Sequence, residues 1–265
     1  MPWTLTCPDD RVVVVAMNSS AVNAQNDDFI RDLHAAVDAL EREHPRHAVV
    51  LASDRRCFSA GLDFEAVFGM FASGEVERIA AFSRRYVEAL LRWFRLPQPT
   101  VAAIGGHVFA GGVVLAMACD FRVARPAVRL AVNEVPIGIP MPGAYVELIA
   151  HAIGRPAAAR AMLLGEEVTG QALLDRGLVH ALVAADDDVV ACARRLLGGL
   201  APDALLAYAF TKRGLQAPTL AAIGEATQSL DRELPALLAA PEARRLLGAR
   251  YRTIKGVPPP WEAGS

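Results

Sequence analysis

Glu134 is the lone carboxylate in Leu130 to Gly143 (LAVNEVPIGIPMPG), a stretch that is otherwise apolar and rich in proline. A carboxyl group taken out of water has its neutral form favoured, which places proton exchange near neutral pH and suits a general acid or base. The same residue also suits a structural role, paired with an arginine such as Arg122 or Arg129. Two glycine-bearing segments precede it. In Arg55 to Asp63 (RRCFSAGLD), Gly61 lets the backbone turn sharply and leaves the N–H of Leu62 free to face a ligand; an ordinary strand-to-helix turn is the alternative. In Ile104 to Asp120 (IGGHVFAGGVVLAMACD), paired glycines open an apolar helix whose first N–H groups lack partners within the helix. Such a helix start stabilises developing negative charge. Close packing of a buried helix through the same glycines is the other reading. His107 has no sequence neighbour to orient its ring, so it reads as a core or supporting histidine rather than a base.

The elements that must hold these segments are legible as hydrophobic periodicity. Arg11 to Met17 and His47 to Ala52 are short β-branched runs of strand type, and between them Asp27 to Glu43 carries Phe29, Leu33, Val37 and Leu40 at helical spacing. The order repeats with a helix over Val76 to Leu96, a strand at Thr100 to Ile104, a short helix at Gly111 to Ala118 and a strand at Phe121 to Ala124. Alternation of this kind predicts an α/β architecture with largely buried strands. After Pro142 the pattern turns to helix upon helix, with Thr169 as a cap before QALLDRG and a last strand at Leu178 to Val183. Helices run from Asp186 onward, and the tail from about Pro202 to Arg250 has little strand signal, so it covers the core or a partner subunit. The closing GVPPPWEAGS reads as a loose end.

Composition bounds the function. The chain has 265 residues, 53% hydrophobic and 21% charged, enough for one large domain or a domain with an appendage. A net charge of -2 provides no general positive field for nucleic acid or an anionic membrane, so any polyanionic ligand depends on local groups. Cys7, Cys57, Cys119 and Cys192 form no CxxC pair, and the N-terminus has neither the basic region nor the apolar core of a signal peptide. Reduced thiols and a cytoplasmic protein are expected. Val101 to Cys119 is long and apolar enough to raise the question of a membrane span, but its four glycines and the prolines before it favour strand, turn and short buried helix. No GxGxxG, phosphate-cradling GxxxxGK or GxSxG is present, and no histidine, cysteine and carboxylate cluster suggests a metal.

Taken together, the segments resemble the crotonase superfamily, the enoyl-CoA hydratase and isomerase family. FSAGLDF is similar to its first oxyanion-hole segment, GHVFAGGVVLAMACDFRVA to its second, and VNEVPIGIP to the segment that brings a catalytic glutamate. With GQALLDRGLVHALV and FTKRGL, the likeness spans about residues 10 to 215. It implies a spiral of repeated strand, strand, helix turns over residues 1 to 200, and a helical C-terminal region, 201 to 265, that builds trimers or pairs of trimers.

By this resemblance, the N–H groups of Leu62 and Gly111 hold a thioester oxygen as it becomes an enolate. Hydratases of the family use two glutamates; here the first of those positions is Val114 and the second is Glu134. That pattern is similar to the single-glutamate 3-enoyl-CoA to 2-enoyl-CoA isomerases, with Asn133 orienting Glu134 or simply forming a turn. Coenzyme A, as part of the substrate and with no other cofactor, would rest on the backbone of Ser59, Ala60 and Leu62. Its phosphates would meet Arg55, Arg56, Lys212 or Arg213, each of which reads equally as a solvated surface charge. Phe64, Phe68 and Phe71 would line an acyl pocket or belong to plain core. A hydratase working with Glu134 alone, another reaction of the family such as decarboxylation or hydrolysis, and a non-catalytic acyl-CoA binder are the competing expectations.

Overall fold

Valine-rich runs pair side by side into the central layer of the fold. The computed structural model describes residues 3–72, 75–184, 187–198, 200 and 202–262. The strands are β1 (Thr4–Thr6), β2 (Val12–Ala16), β3 (Ala48–Ala52), β4 (Cys57–Ser59), β5 (Thr100–Ile104), β6 (His107–Phe109), β7 (Phe121–Ala124), β8 (Leu130–Ala131) and β9 (Ala181–Leu182). The larger sheet has the order β1-β2-β3-β5-β7-β9 and is parallel except for β1. The smaller has the order β4-β6-β8 and is also parallel.

The chain visits the two sheets alternately. β3 leads to β4, β5 to β6 and β7 to β8, each pair being followed by helix. Successive turns therefore stack side by side in both sheets, a spiral of strand, strand, helix units. Parallel strands covered on both faces read as unbroken apolar runs, and β3 and β5 are buried throughout. Val49 and Leu51 face the main core with Phe29, Leu33 and Trp93. Their neighbours Ala48, Val50 and Ala52 face a second core with Val101, Val123, Val189 and Leu197, as the two-residue strand period requires.

The helices are α1 (Asp27–Glu43), α2 (Phe64–Ala72), α3 (Val76–Phe94), α4 (Gly111–Met117), α5 (Gly143–Ile153), α6 (Arg155–Leu164), α7 (Gln171–Asp175), α8 (Val189–Leu197), α9 (Leu205–Gln228), α10 (Leu234–Ala239) and α11 (Pro241–Lys255). α1 starts where Asn26 Oδ1 accepts from the N–H of Phe29 at 3.1 Å, meeting a donor that the first turn leaves unpaired. Among the described residues no helix is long and apolar enough to cross a membrane. The apolar run from Val101 to Cys119 is instead divided among β5, β6 and α4.

Several local expectations need correction. Thr169 does not cap α7: its hydroxyl donates to the carbonyl of Pro126 at 3.1 Å, and Gly170, at φ 63°, enters the helix. The last strand keeps only Ala181–Leu182. The closing segment is not loose as far as Glu262, because Trp261 meets the Tyr251 ring at 6.2 Å and Glu262 pairs with Arg252. The tail lies on the core, and α9 passes so close to α5 that a Cβ on Gly143 would stand 2.3 Å from Ala226 Cβ. It also leaves Leu206, Phe210 and Leu215 exposed.

Lys212 is the largest correction. Only 6% exposed, it donates to Asp120 Oδ2 at 2.8 Å and to the carbonyl of Gln98 at 2.9 Å. Its charge is spent inside the fold, tying α9 to the turn before β7, so it does not face a phosphate. Removing one member of a buried pair leaves the other charge poorly compensated. Lys212→Met is expected to lower unfolding free energy by about 3 kcal/mol, read from the shift of the urea midpoint at unchanged m-value.

Candidate active site

The first glycine segment is held by a buried asparagine. Asn23 Nδ2 donates to Ser53 Oγ at 2.8 Å, to the carbonyl of Phe58 at 3.1 Å and to that of Met17 at 3.2 Å. This anchors the turn that follows β4. Ser59 is fully buried there, its hydroxyl donating to the carbonyl of Asn23 at 2.8 Å and accepting from the N–H of Gly61 at 3.2 Å. The N–H of Ala60 donates to the carbonyl of Val22 at 2.9 Å. Ser59 therefore shapes the turn instead of lining a binding surface, and Ala60 retains only its carbonyl for a ligand.

The two glycine segments press directly on each other. Gly61 sits at φ +85°, and a Cβ there would lie 2.7 Å from Ala110 Cβ and 3.0 Å from the Gly111 nitrogen. A Cβ on Gly112 would lie 2.5 Å from the Ser59 carbonyl oxygen. Ala110 itself takes φ 52°, ψ −129°, a costly conformation for a residue with a Cβ. These contacts place the first turn of α4 beside Leu62. Gln25 borders Leu62 through the bonds Gln25 N to Gly61 O and Asp63 N to Gln25 O, both 2.8 Å. Among the described residues no acceptor meets the N–H of Leu62 or of Gly111. Two unpaired N–H groups on adjoining turns are the kind of donor that an oxyanion requires.

Glu134 stands at the head of the short turn Val135–Ile137. Its loop is clamped: Gly138, at φ +80°, packs on Ala243 and Leu246 of α11, and a Cβ at Gly165 would lie 2.5 Å from Pro136 Cγ. Leu62, Ile137, Ile139 and Phe64 join one apolar cluster with Leu238, Leu247 and Tyr251 from α10 and α11. The tail thus brings the Glu134 loop and the Leu62 turn together. The Phe64 ring stacks on Tyr251 at 5.9 Å. The side chains of Phe68 and Phe71 lie outside the described residues.

Glu134 is 6% exposed, and its Oε2 has no hydrogen-bond partner among the described residues. Burial pushes its carboxyl up to about 7, against a weaker pull downward from the backbone N–H groups of Glu134 itself and Asn133. The contribution of Asn133 to the carboxyl runs through its backbone. Neither arginine considered as a partner reaches Glu134. Arg122 is spent on the carbonyls of Cys119, Leu178 and Ala152, and Arg129 lies over the Phe109 ring and pairs with Glu167.

Two phenols that sequence reasoning missed complete the surroundings. Tyr86 Oη donates to the carbonyl of Gly111 at 3.2 Å, and the rings of Tyr86 and Tyr145 meet at 6.0 Å. Burial holds both phenols well above their ordinary range, and the charge of Glu134 adds to the rise. Nothing in the sequence marks Tyr86, which occupies an apolar position of an amphipathic helix. Val114, one turn into α4, is fully buried. Gln25 is fully buried as well, and neither atom of its amide finds a partner among the described residues.

Of the remaining cations, Arg55 is exposed beside Asp54 at 3.4 Å, Arg56 is exposed, and Arg213 lies over the Phe210 ring. His107 is half-buried, its Nδ1 accepting from the N–H of Arg129 at 3.2 Å. It supports β6 and takes no place beside Glu134.

Residues 9–241 match the family model described as enoyl-CoA hydratase/isomerase. A probable enoyl-CoA hydratase, EchA17, of Mycobacterium tuberculosis is 30% identical over 202 residues, 75% of this chain and 76% of that protein. A crystal structure of the probable enoyl-CoA hydratase EchA3 of the same organism superposes with TM-score 0.77 at 30% identity, covering 88% of this chain and 96% of that one. A second structure of that same protein, described there as an enoyl-CoA isomerase, superposes with TM-score 0.75 at 28% identity, covering 89% of this chain and 98% of that one.

Proposed function

Since the chain belongs to the enoyl-CoA hydratase/isomerase family, the crotonase superfamily, we propose that it isomerises 3-enoyl-CoA to trans-2-enoyl-CoA with Glu134 as its single acid and base. The observation that carries this reading is a lone carboxyl at Glu134, buried and raised to about 7, while the family's first glutamate position is the buried, apolar Val114.

In the proposed cycle the thioester oxygen accepts from the N–H groups of Leu62 and Gly111. The Glu134 carboxylate removes a proton from C2, and the electron pair flows into the thioester, leaving a dienolate with its negative charge on that oxygen. The protonated Glu134 then returns the proton to C4, which moves the double bond into conjugation and restores the carboxylate. One base serves both positions because C2 and C4 lie on one face of a planar allylic system. The apolar wall at Val114 gives no hydrogen bond to a water, which disfavours addition across the double bond. The coenzyme A portion is substrate, and the scheme draws on no other cofactor. The exposed Leu206 and Phe210 of α9 fit burial between subunits of a trimer, and a cytoplasmic location accords with the free cysteines.

Hydration of 2-enoyl-CoA is the second reading, favoured by the names of relatives such as EchA17. Incubating the protein with a 3-enoyl-CoA in deuterated water, followed by NMR, separates the two. Deuterium entering C2 and C4 with formation of the 2-enoyl thioester is expected. No exchange, with rapid conversion of separately supplied 2-enoyl-CoA into 3-hydroxyacyl-CoA, would replace the isomerase by a hydratase, and binding of both thioesters with neither exchange nor hydration would leave a non-catalytic acyl-CoA binder. Val114→Glu is expected to restore a second carboxyl and to raise the hydration-to-isomerisation ratio by at least about 10-fold, a fraction of the roughly 10²–10⁴-fold typical of one well-placed general acid or base.

A further inference from the structure

The fold brings Cys7 to His44 and His47, a grouping that no cluster in the sequence indicates. One ligand atom from each lies within 4.8 Å of the other two. Cys7 Sγ is 3.7 Å from His44 Nδ1, and the two imidazole rings stand perpendicular with centroids 5.1 Å apart. We propose that these three residues form a binding site for a borderline-soft divalent cation of the zinc class, outside the acyl-CoA site.

Geometry and donor chemistry agree. A thiolate sulfur about 2.3 Å and an imidazole nitrogen about 2.0–2.1 Å from a tetrahedral zinc lie roughly 3.6 Å apart, close to the 3.7 Å of Cys7 and His44. The wider separations, up to 4.8 Å, would have to close by side-chain rotation when an ion binds. One thiolate with two imidazoles is a donor set for zinc and its neighbours, whereas magnesium and calcium require oxygen. His47 Nδ1 is shielded from solvent and has no hydrogen-bond partner among the described residues, so no protein group competes with a ligand there.

The backbone holds the pair of histidines in place. His44 caps the C-terminus of the 17-residue α1, with its N–H on the carbonyl of Leu40. His47 N donates to the His44 carbonyl at 3.1 Å, and the same carbonyl accepts from Gln98 Nε2 at 3.3 Å. The end of a helix carries partial negative charge that favours a cation. Cys7 follows β1, so a bound ion would clamp the first strand to the end of α1. Binding converts the Cys7 thiol and the cation into a metal thiolate with one proton released to solvent. Three protein ligands leave the fourth tetrahedral position to water.

The test is titration of the purified full chain with Co²⁺ and Zn²⁺, comparing wild type with Cys7→Ser, His44→Ala and Cys192→Ser. Expected are one equivalent of bound metal, a thiolate-to-cobalt charge-transfer band, tetrahedral d–d bands and displacement by Zn²⁺. Cys7→Ser should lose the charge-transfer band and weaken Zn²⁺ at least about 100-fold, more than loss of a group merely supporting a ligand; His44→Ala should weaken it similarly. Cys192→Ser should bind as wild type, and Zn²⁺ should raise Tm in wild type and Cys192→Ser but not in Cys7→Ser. An unchanged Zn²⁺ affinity in Cys7→Ser, or a wild type that acquires no charge-transfer band with excess Co²⁺, would overturn the site.

Discussion

Glu134→Gln is expected to lower kcat/KM for isomerisation of a 3-enoyl-CoA by about 10²–10⁴-fold, the usual contribution of a positioned acid or base. The amide has nearly the shape of the carboxyl it replaces but carries no exchangeable acid proton, so substrate binding should change far less than turnover. In wild type the base form must be present. With the carboxyl at about 7, kcat/KM should rise with pH through that value and level off above it, and the variant's residual rate should lack this limb.

The same substitution should act oppositely on stability. Burial holds the folded-state value near 7 against an ordinary value of 4.5. Below 4.5 the carboxyl is neutral in both states and burial costs it nothing; as pH rises through the window between the two values, the unfolded state ionises first and the folded state loses stability. Above about 7 the cost amounts to roughly 3 kcal/mol, taking about 1.4 kcal/mol per tenfold change in proton affinity. Glu134→Gln should therefore raise the urea midpoint at pH 8 and change it little at pH 4. A stability gain confined to high pH, together with lost turnover, distinguishes a desolvated base from a structural carboxylate. Equal destabilisation at both pH values would argue for the structural role.

Gly61→Ala should be nearly as damaging to catalysis through the oxyanion site. The new methyl must occupy a left-handed conformation, which costs about 1–2 kcal/mol. It must also displace Ala110 Cβ, at 2.7 Å, and the carbonyl oxygen of Phe109, at 2.9 Å. Neither neighbour is the free end of a flexible side chain. The turn bearing Leu62 must move away from the start of α4, which separates the two N–H donors. A fall in kcat of about 10²–10³-fold follows, the cost typical of one lost oxyanion donor. Gly177→Ala supplies the comparison, since Gly177 also has positive φ, at +69°, but its Cβ would meet nothing within 4 Å. That variant should lose a little stability and keep its rate. Equal activity in the two variants, measured on folded protein, would sink the assignment of the Leu62 turn.

Much of this was already written in local sequence. Asp27–Glu43, Thr100–Ile104 and Phe121–Ala124 are the spans that periodicity predicts, because each is long or apolar enough to carry its own period and is flanked by caps or prolines. The isolated carboxylate in LAVNEVPIGIPMPG announces a desolvated Glu134, since no neighbour within that segment could pair with it. The smaller sheet was not legible. Cys57–Ser59, His107–Phe109 and Leu130–Ala131 are too short to show alternation, and their strand character comes wholly from pairing with one another.

Only the tertiary structure decided the rest. A charge is assigned by what surrounds it, so Lys212 reads in sequence as a solvated surface charge or a phosphate partner and proves to be the buried counterion of Asp120. Tyr86 looks like one more apolar position until its hydroxyl is found on the Gly111 carbonyl. Cys7, His44 and His47 share no motif and meet because β1 ends beside the C-terminus of α1. Residue types and local spacing set conformational preference and the chemistry available at each position. Burial, charge compensation and ligand geometry arise from contacts between residues tens of positions apart, which folding alone creates.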